Sequence, residues 1–366
     1  MKTILYKIAF MALLLPTLSF CSTPGSPLNG KITKQKKVSR KFSVSAKDFV
    51  KIDNSYGNVD LSTWDQNTVS IEVIIKTNGN DEQKVQERLD DISVEFNQSS
   101  GTVSARTRFS KGHNSSWWDK LFGDSNNVNM EVNYIIKAPA TNNVDINNDY
   151  GSIIIDKLKG NANLSCDYGS LNIGELHGDS NHLSFDYSRN SHFGYINKAI
   201  INADYSEFTI EDAHAVDLKA DYTDSKFNKI ELLQFSCDYG SLSVQKVKQI
   251  KGSGDYLGSH LGEIFQSADL SMDYGNLSIE KIVKGAGNIN INTDYAGIKI
   301  GYAQDQAFSF DIKTSYASVK GLEGFELQRQ SQSSSDRSYS GFHLDKNNSS
   351  LITIRSDYGG VTFEQK

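Results

Sequence analysis

An Asp-Tyr pair followed by a turn residue recurs along most of the chain, and its period limits what the chain can fold into. Tyrosines of this motif and its close variants stand at positions 56, 150, 168, 187, 205, 222, 239, 256, 274, 295, 316 and 358. From Tyr150 to Tyr316 the steps are 18, 19, 18, 17, 17, 17, 18, 21 and 21 residues. The last step, to Tyr358, is 42, twice 21, which leaves room for one masked repeat. Self-similarity at a fixed short period marks an architecture in which each unit buries its apolar face against the next.

The side chains around the tyrosine say which architecture. Leu164, Cys166 and Tyr168 alternate and lead on to Leu171 and Ile173, and Leu270, Met272 and Tyr274 lead in the same way to Leu277 and Ile279. Ile352, Ile354, Ser356 and Tyr358 lead to Val361 and Phe363. A period of two is strand periodicity. The offset of three between Tyr168 and Leu171 would put them on opposite faces of a straight strand, so the chain must bend at the intervening Gly-Ser. Each repeat then consists of two or three short strands joined at corners. The expected fold is all-β, a parallel β-helix (solenoid) of 17–21 residues per coil. The asparagine ladder of leucine-rich repeats and the Gly-Gly-x-Gly-x-Asp run of calcium-binding solenoids are both absent from the sequence.

Asp precedes the tyrosine at Asp149, Asp167, Asp186, Asp204, Asp221, Asp238, Asp255, Asp273, Asp294 and Asp357, and only Ser55 and Ser315 break the rule. Stacked strands lie about 4.8 Å apart, and unit charges at that spacing repel by about 1 kcal/mol in water and more near a protein surface. An Asx-type turn, each carboxylate accepting the amide N–H two residues on, would fix the corner and offset the repulsion. The functional alternative is a carboxylate ladder from Asp149 to Asp294 that takes cations such as Ca²⁺, or a basic or sugar ligand. Crowding would also favour partial protonation. The position after the tyrosine is Gly at only half the sites and Thr223 at one, so no left-handed corner is required there in every repeat. For the tyrosine, alternation points to an inward, core ring, with small neighbours such as Asn148, Cys166, Ala203 and Ala220 making room. An outward column would instead be an aromatic platform for carbohydrate.

Cys166 and Cys237 occupy one column four repeats apart, roughly 19 Å at strand spacing, which no disulfide spans. They read as small buried residues. The third cysteine, Cys21, follows an N-terminal stretch with Lys2, Lys7 and an apolar core from Ile8 to Leu15. That stretch, residues 1–21, reads as an export signal, too short to span a bilayer. Cys21 is the candidate lipidation site of a lipoprotein signal, although Phe20 stands where a small residue is expected. Residues 22–40 read as a linker.

Residues 41–143 are less regular and read as a small α+β or β-sandwich-like segment capping the repeat domain of residues 144–366. "DFVKIDNSYGNVDLSTW" (48–64) resembles one separate coil, and "DEQKVQERLDDISVEF" places Val85, Leu89 and Ile92 at helical spacing. Trp117, Trp118, Leu121 and Phe122 form an apolar group in a polar setting, a candidate contact with a partner or membrane surface. The Ser-rich stretch 328–341 reads as a loop thrown out of a late coil.

A net charge of −6 argues against nucleic acid as a partner. The histidines do not recur at one repeat position, and neither metal spacing nor a nucleophile or phosphate-binding motif is present in the sequence. No catalytic or metal-ligating residue and no cofactor is therefore assigned.

The combination of signal peptide, "KIDNSYGNVDLSTW", the "YIIKAPA" strand and repeated "DYGSLNI" units resembles the putative-adhesin β-strand-repeat family, exported envelope proteins common in Bacteroidetes-type bacteria. The resemblance spans roughly residues 40–366. It implies a β-helical, exported protein in the periplasm, outer membrane or extracellular space, and no catalytic residues to carry over. The leading expectation is a non-enzymatic cell-envelope protein, adhesin-like or scaffold, presenting repetitive surfaces to carbohydrate or an envelope protein, and touching membrane only through a lipid anchor. The alternatives are a polysaccharide-active β-helix enzyme, whose paired acids the aspartates would supply, and an envelope signalling accessory protein.

Overall fold

A computed structural model describes residues 30–110 and 128–366. Cys21 and the Trp117, Trp118, Leu121, Phe122 group lie outside the described residues.

The first part runs β1 (Ile32–Ser43), β2 (Phe49–Ser55), β3 (Val59–Trp64), β4 (Thr68–Gly79), α1 (Glu82–Asp91), β5 (Ile92–Ser99), β6 (Thr102–Phe109) and β7 (Asn129–Pro139). The helix starts where Asp81 accepts the amide N–H groups of Gln83 and Lys84 at 3.0 and 3.1 Å, a side-chain N-cap. It buries Val85 and Leu89, as their spacing predicts, and runs directly into β5 at Ile92, which is buried as a strand residue. β4 pairs antiparallel with both β1 and β7, and β5 with β6. β2 and β3 behave differently, pairing parallel with the first strands of the repeats. The segment that reads as a separate coil is thus the first rung of the repeats themselves.

The repeats comprise β8 (Asn143–Asp149), β9 (Ser152–Leu158), β10 (Ala162–Asp167), β11 (Ser170–Leu176), β12 (Asn181–Asp186), β13 (Ser191–Asp204), β14 (Glu207–Asp255), β15 (Leu257–Asp273), β16 (Asn276–Ile282), β17 (Ile289–Asp294) and β18 (Gly297–Tyr302). The chain ends with β19 (Phe308–Ser315), β20 (Val319–Lys320), β21 (Glu326–Gln332), β22 (Asp336–His343), β23 (Leu351–Asp357) and β24 (Val361–Gln365). Among the described residues the protein is all-β apart from α1, and its strands join in one large mixed sheet that does not close on itself.

Two parallel ladders dominate the sheet. In one, the residues before each tyrosine pair with their counterparts one repeat on. Leu164 faces Ile146 and Leu183, and Asp167 faces Asp149 and Asp186. In the other, the residues after the tyrosine do the same, Ile173 facing Ile155 and Phe193. Alternate residues of both ladders are buried, so rows such as Ile146, Leu164, Leu183 and Ile201 form a continuous core. Each such side chain stabilises by about 1.5–3 kcal/mol. Cys166 and Cys237 are buried and unbonded.

The last rungs depart from chain order. β17 pairs with β23, which pairs on its other side with the earlier β19, and β24 likewise lies between β18 and β20. The doubled step before Tyr358 therefore contains no masked repeat. Its residues form an antiparallel hairpin of β21 and β22, and β22 covers the outer edge of β19. The Ser-rich stretch is part of this hairpin, not a loop. At the other end β1, β4 and β7 pair antiparallel in the same protective manner, since an unpaired strand edge invites aggregation.

Candidate functional site

Every motif tyrosine has a left-handed backbone. The φ values run from 50° at Tyr274 to 65° at Tyr56, and of the fifteen described non-glycine residues with positive φ, twelve are these tyrosines. The chain bends at the tyrosine itself, and the position after it is Gly in six rungs and Ser, Thr, Ala or Leu in the others. Each amide N–H continues the ladder around the bend, as when Tyr150 donates to the carbonyl of Asp167 and Tyr187 to that of Asp204, at 2.9 and 3.0 Å. A left-handed non-glycine residue costs on the order of 1–3 kcal/mol. Asn or Gly would take this conformation more cheaply, yet tyrosine occupies it in every rung.

The bend also turns the ring outward, which overturns the inward reading. The residue two before each tyrosine points into the core, but Tyr168, Tyr222 and Tyr316 are 54%, 51% and 66% exposed. The twelve rings form one column. Successive centroids lie 4.6–5.2 Å apart with planes within 8° of parallel. Eleven such steps make an edge roughly 50 Å long. Phe109 closes one end, meeting Tyr56 edge-on at 6.1 Å. At the other end the order is Tyr295, Tyr358, Tyr316, following the interleaved strands. Stacking supplies about 0.5–1.5 kcal/mol per pair, enough to offset much of the backbone cost.

Stacked rings present their faces to one another and their edges and hydroxyls to solvent. Within the column no face is open to a sugar ring, so the platform reading does not hold in its simple form. What is offered is a long, regular row of ring edges and phenols. Partial burial, then neighbouring phenols and aspartates, hold Tyr168, Tyr205, Tyr239 and Tyr358 above the ordinary phenol pKa, so they stay neutral.

The aspartates stack beside the tyrosines, half-buried or exposed. Their carboxylates hold the fold differently from an Asx turn. Asp167 Oδ1 accepts the backbone N–H of Asp186, one repeat on, at 3.3 Å, and Asp186, Asp204 and Asp238 repeat the contact toward Asp204, Asp221 and Asp255 at 3.0–3.2 Å. Burial and neighbouring aspartates raise the pKa of Asp149, Asp186, Asp221 and Asp255. Where Ser315 replaces Asp, its hydroxyl bonds Asp336 of β22 at 2.8 Å, so a carboxylate still stands at that rung. Among the described residues no three or more His, Cys, Asp or Glu side chains gather as a metal site.

Just inside the bend, the residue after the tyrosine carries a second device. Ser188 N–H donates to Ser206 Oγ and Ser206 N–H to Thr223 Oγ1, both at 3.1 Å, while these hydroxyls donate to backbone carbonyls. Three of the histidines pair with exposed glutamates, His177 with Glu175, His192 with Glu211 and His214 with Glu231.

A shallow groove of about 660 Å³, not anticipated from the sequence, runs across several repeats, lined among others by Ile200, Leu232, Gln234 and the paired Lys251 and Asp269. Half-exposed Ile200 and Leu232 are its sequence signal, two apolar residues at outward positions of the alternation.

No protein-family model matches the chain, and no curated protein does. Among solved structures it is similar to a putative adhesin from Parabacteroides distasonis, at 11% identity and a TM-score of 0.34 over 92% of this chain and 98% of the other. It is also similar to a putative cell adhesion protein from Clostridium sporogenes, at 9% identity and a TM-score of 0.20 over 91% and 100% of the two chains. A third is a putative lipid binding protein from Parabacteroides distasonis, at 10% identity and a TM-score of 0.28 over 90% and 96%.

Proposed function

We propose that this is a non-enzymatic, exported cell-envelope protein, adhesin-like or scaffold in role, whose repeats wind as a parallel β-helix and present one repetitive edge for binding. The observation that carries the reading is the tyrosine column. Twelve rings, eleven of them exposed and Tyr56 half-buried, hold a strained backbone position that cheaper residues could fill. A contiguous exposed apolar strip on a folded protein is most simply a contact surface. The one-repeat offset kept by both parallel ladders as far as β18 supports the β-helix, with 144–366 as its repeat domain and residues 41–143 supplying its cap and, through β2 and β3, its first rung.

The edge suits a long partner lying along the column, a surface polysaccharide or an envelope protein, that meets phenols and ring edges at each repeat. The column from Asp149 to Asp294 is its charged flank and the place where Ca²⁺ or a basic group would add to the contact. Cys21 would anchor the chain through lipid, and Trp117, Trp118, Leu121 and Phe122 would form a second contact.

The test is a binding screen of the mature protein against glycans and envelope proteins, alongside Y205N/Y222N/Y239N. Asparagine tolerates the left-handed bend while removing the rings. Binding should weaken about tenfold or more, as loss of central aromatic contacts does, with the circular dichroism unchanged. Equal binding by the variant, or turnover of any glycan, would overturn the reading.

A further inference from the structure

We propose that the tyrosine column is a site of oxidative cross-linking, where a one-electron oxidant such as peroxide with a peroxidase joins neighbouring rings as dityrosine. The geometry is already assembled. Adjacent rings are nearly parallel at 4.6–5.2 Å and related almost by pure translation, so matching ring carbons of two neighbours lie about as close as the centroids. The rings are about half exposed, which leaves room for the tilt that bond formation needs and leaves the phenols open to an oxidant.

The chemistry balances without further reagents. Each of two phenols loses one electron and its hydroxyl proton, giving phenoxyl radicals with spin on the carbons ortho to oxygen. Two such carbons form a C–C bond, and their hydrogens move to the ring oxygens as aromaticity returns. One peroxide accepts the two electrons and two protons and becomes two waters.

The described cysteines and Met272 are better protected. Cys166 and Cys237 are buried, and burial pushes both thiols up to about 12, so the reactive thiolate is scarce. Met272 is buried. No disulfide links the described cysteines. A tyrosine bond would do a disulfide's work here, joining strands 17–94 residues apart and restricting the unfolded chain.

Pairing order supplies the discriminating readout. Tyr295 stacks on Tyr358, 63 residues away, and Tyr358 on Tyr316, whereas Tyr295 and Tyr316 are only 21 residues apart but not neighbours in the column. The full chain, dilute, is treated with peroxidase and hydrogen peroxide, digested, and its cross-linked peptides identified by mass. Expected are dityrosine emission, a monomeric product, bonds Tyr56–Tyr150, Tyr295–Tyr358 and Tyr316–Tyr358, and a higher denaturation midpoint. Tyr358→Phe keeps a ring in the stack, and it should abolish both bonds to that position and leave Tyr56–Tyr150. Bonds found only between molecules, a Tyr295–Tyr316 bond in place of the other two, or no dityrosine at doses that couple a free tyrosine peptide would overturn the proposal.

Discussion

The inner and outer columns of the repeats obey opposite rules. Two residues before the tyrosine, pointing inward, the chain places Asn54, Asn148, Cys166, Phe185, Ala203, Ala220, Cys237, Gly254, Met272, Thr293, Thr314 and Ser356, all buried. Outside, the same repeats carry Asp and Tyr with almost no variation. Repeats held together only by their core would vary outside and agree inside. The core accepts variety because volume is shared between neighbours. Phe185 sits between Cys166 and Ala203, and Gly254 leaves space for Leu257, whose Cδ2 would lie 2.7 Å from a Cβ added there. The outer column has no such freedom, since every ring must match the stacking of the next.

The largest effect should come from the inner column. Phe185→Ala removes a fully buried ring that packs on Phe193 and Phe208, beside residues too small to refill the space. Chemical denaturation should show a loss of about 3–5 kcal/mol. A loss under about 1 kcal/mol would show that the core has slack and that volume sharing is not what permits its variety.

At Tyr222 the outer rule can be divided into backbone and ring. Tyr222→Asn removes stacking with Tyr205 and Tyr239, both at 4.8 Å, but suits the left-handed bend. Tyr222→Val removes the same stacking and adds strain, so it should be about 1–3 kcal/mol less stable than the Asn variant. Equal stabilities would mean the bend exerts no demand on the residue type.

The aspartates give a pH signature. A carboxyl whose folded pKa is raised binds protons more readily folded than unfolded, so stability falls as pH rises from the ordinary carboxyl pKa through the raised value. Asp221 is raised by burial first and by Asp204 and Asp238 next. Asp221→Asn should therefore raise the denaturation midpoint at neutral pH and lose that advantage below the carboxyl range. A variant less stable than the parent at neutral pH would show that the charge itself is needed, as a bound cation would require.

Exposed ion pairs should matter least. Lys229 bonds Asp212 at 2.8 Å, with the two side chains 57% and 41% exposed. Lys229→Ala should change stability by less than about 1 kcal/mol.

Much of this was legible in the chain itself. Alternation around the motif placed the strands and named the buried rows, Leu164 with Leu171 and Ile173 among them. The column argument kept Cys166 and Cys237 apart, and the spacing of Val85 and Leu89 located α1. The tyrosines were misread because counting by twos holds only while φ stays in the strand region. A left-handed residue at the bend reverses the parity, and nothing in the composition of Asp-Tyr-Gly says that the tyrosine, not the glycine, takes it. The carboxylate partner was missed for a related reason, since an amide two residues on and an amide one repeat on look equally near in a sequence.

The sequence by itself determined the period, the buried rows of the strands and the near-constant Asp-Tyr pair, because these follow from local alternation repeated at a regular step. Only the tertiary structure decided which way the rings point and in what order the last rungs stack. Ile352 and Ile354 of β23 and Phe310 and Ile312 of β19 are equally able to cover Ile289 and Ile291, so the pattern cannot rank them. Pairing of β22 along the far edge of β19 leaves one open side to β19, and β23 fills it against β17. The stack of rings follows that choice, and with it the single continuous edge that Tyr316 completes.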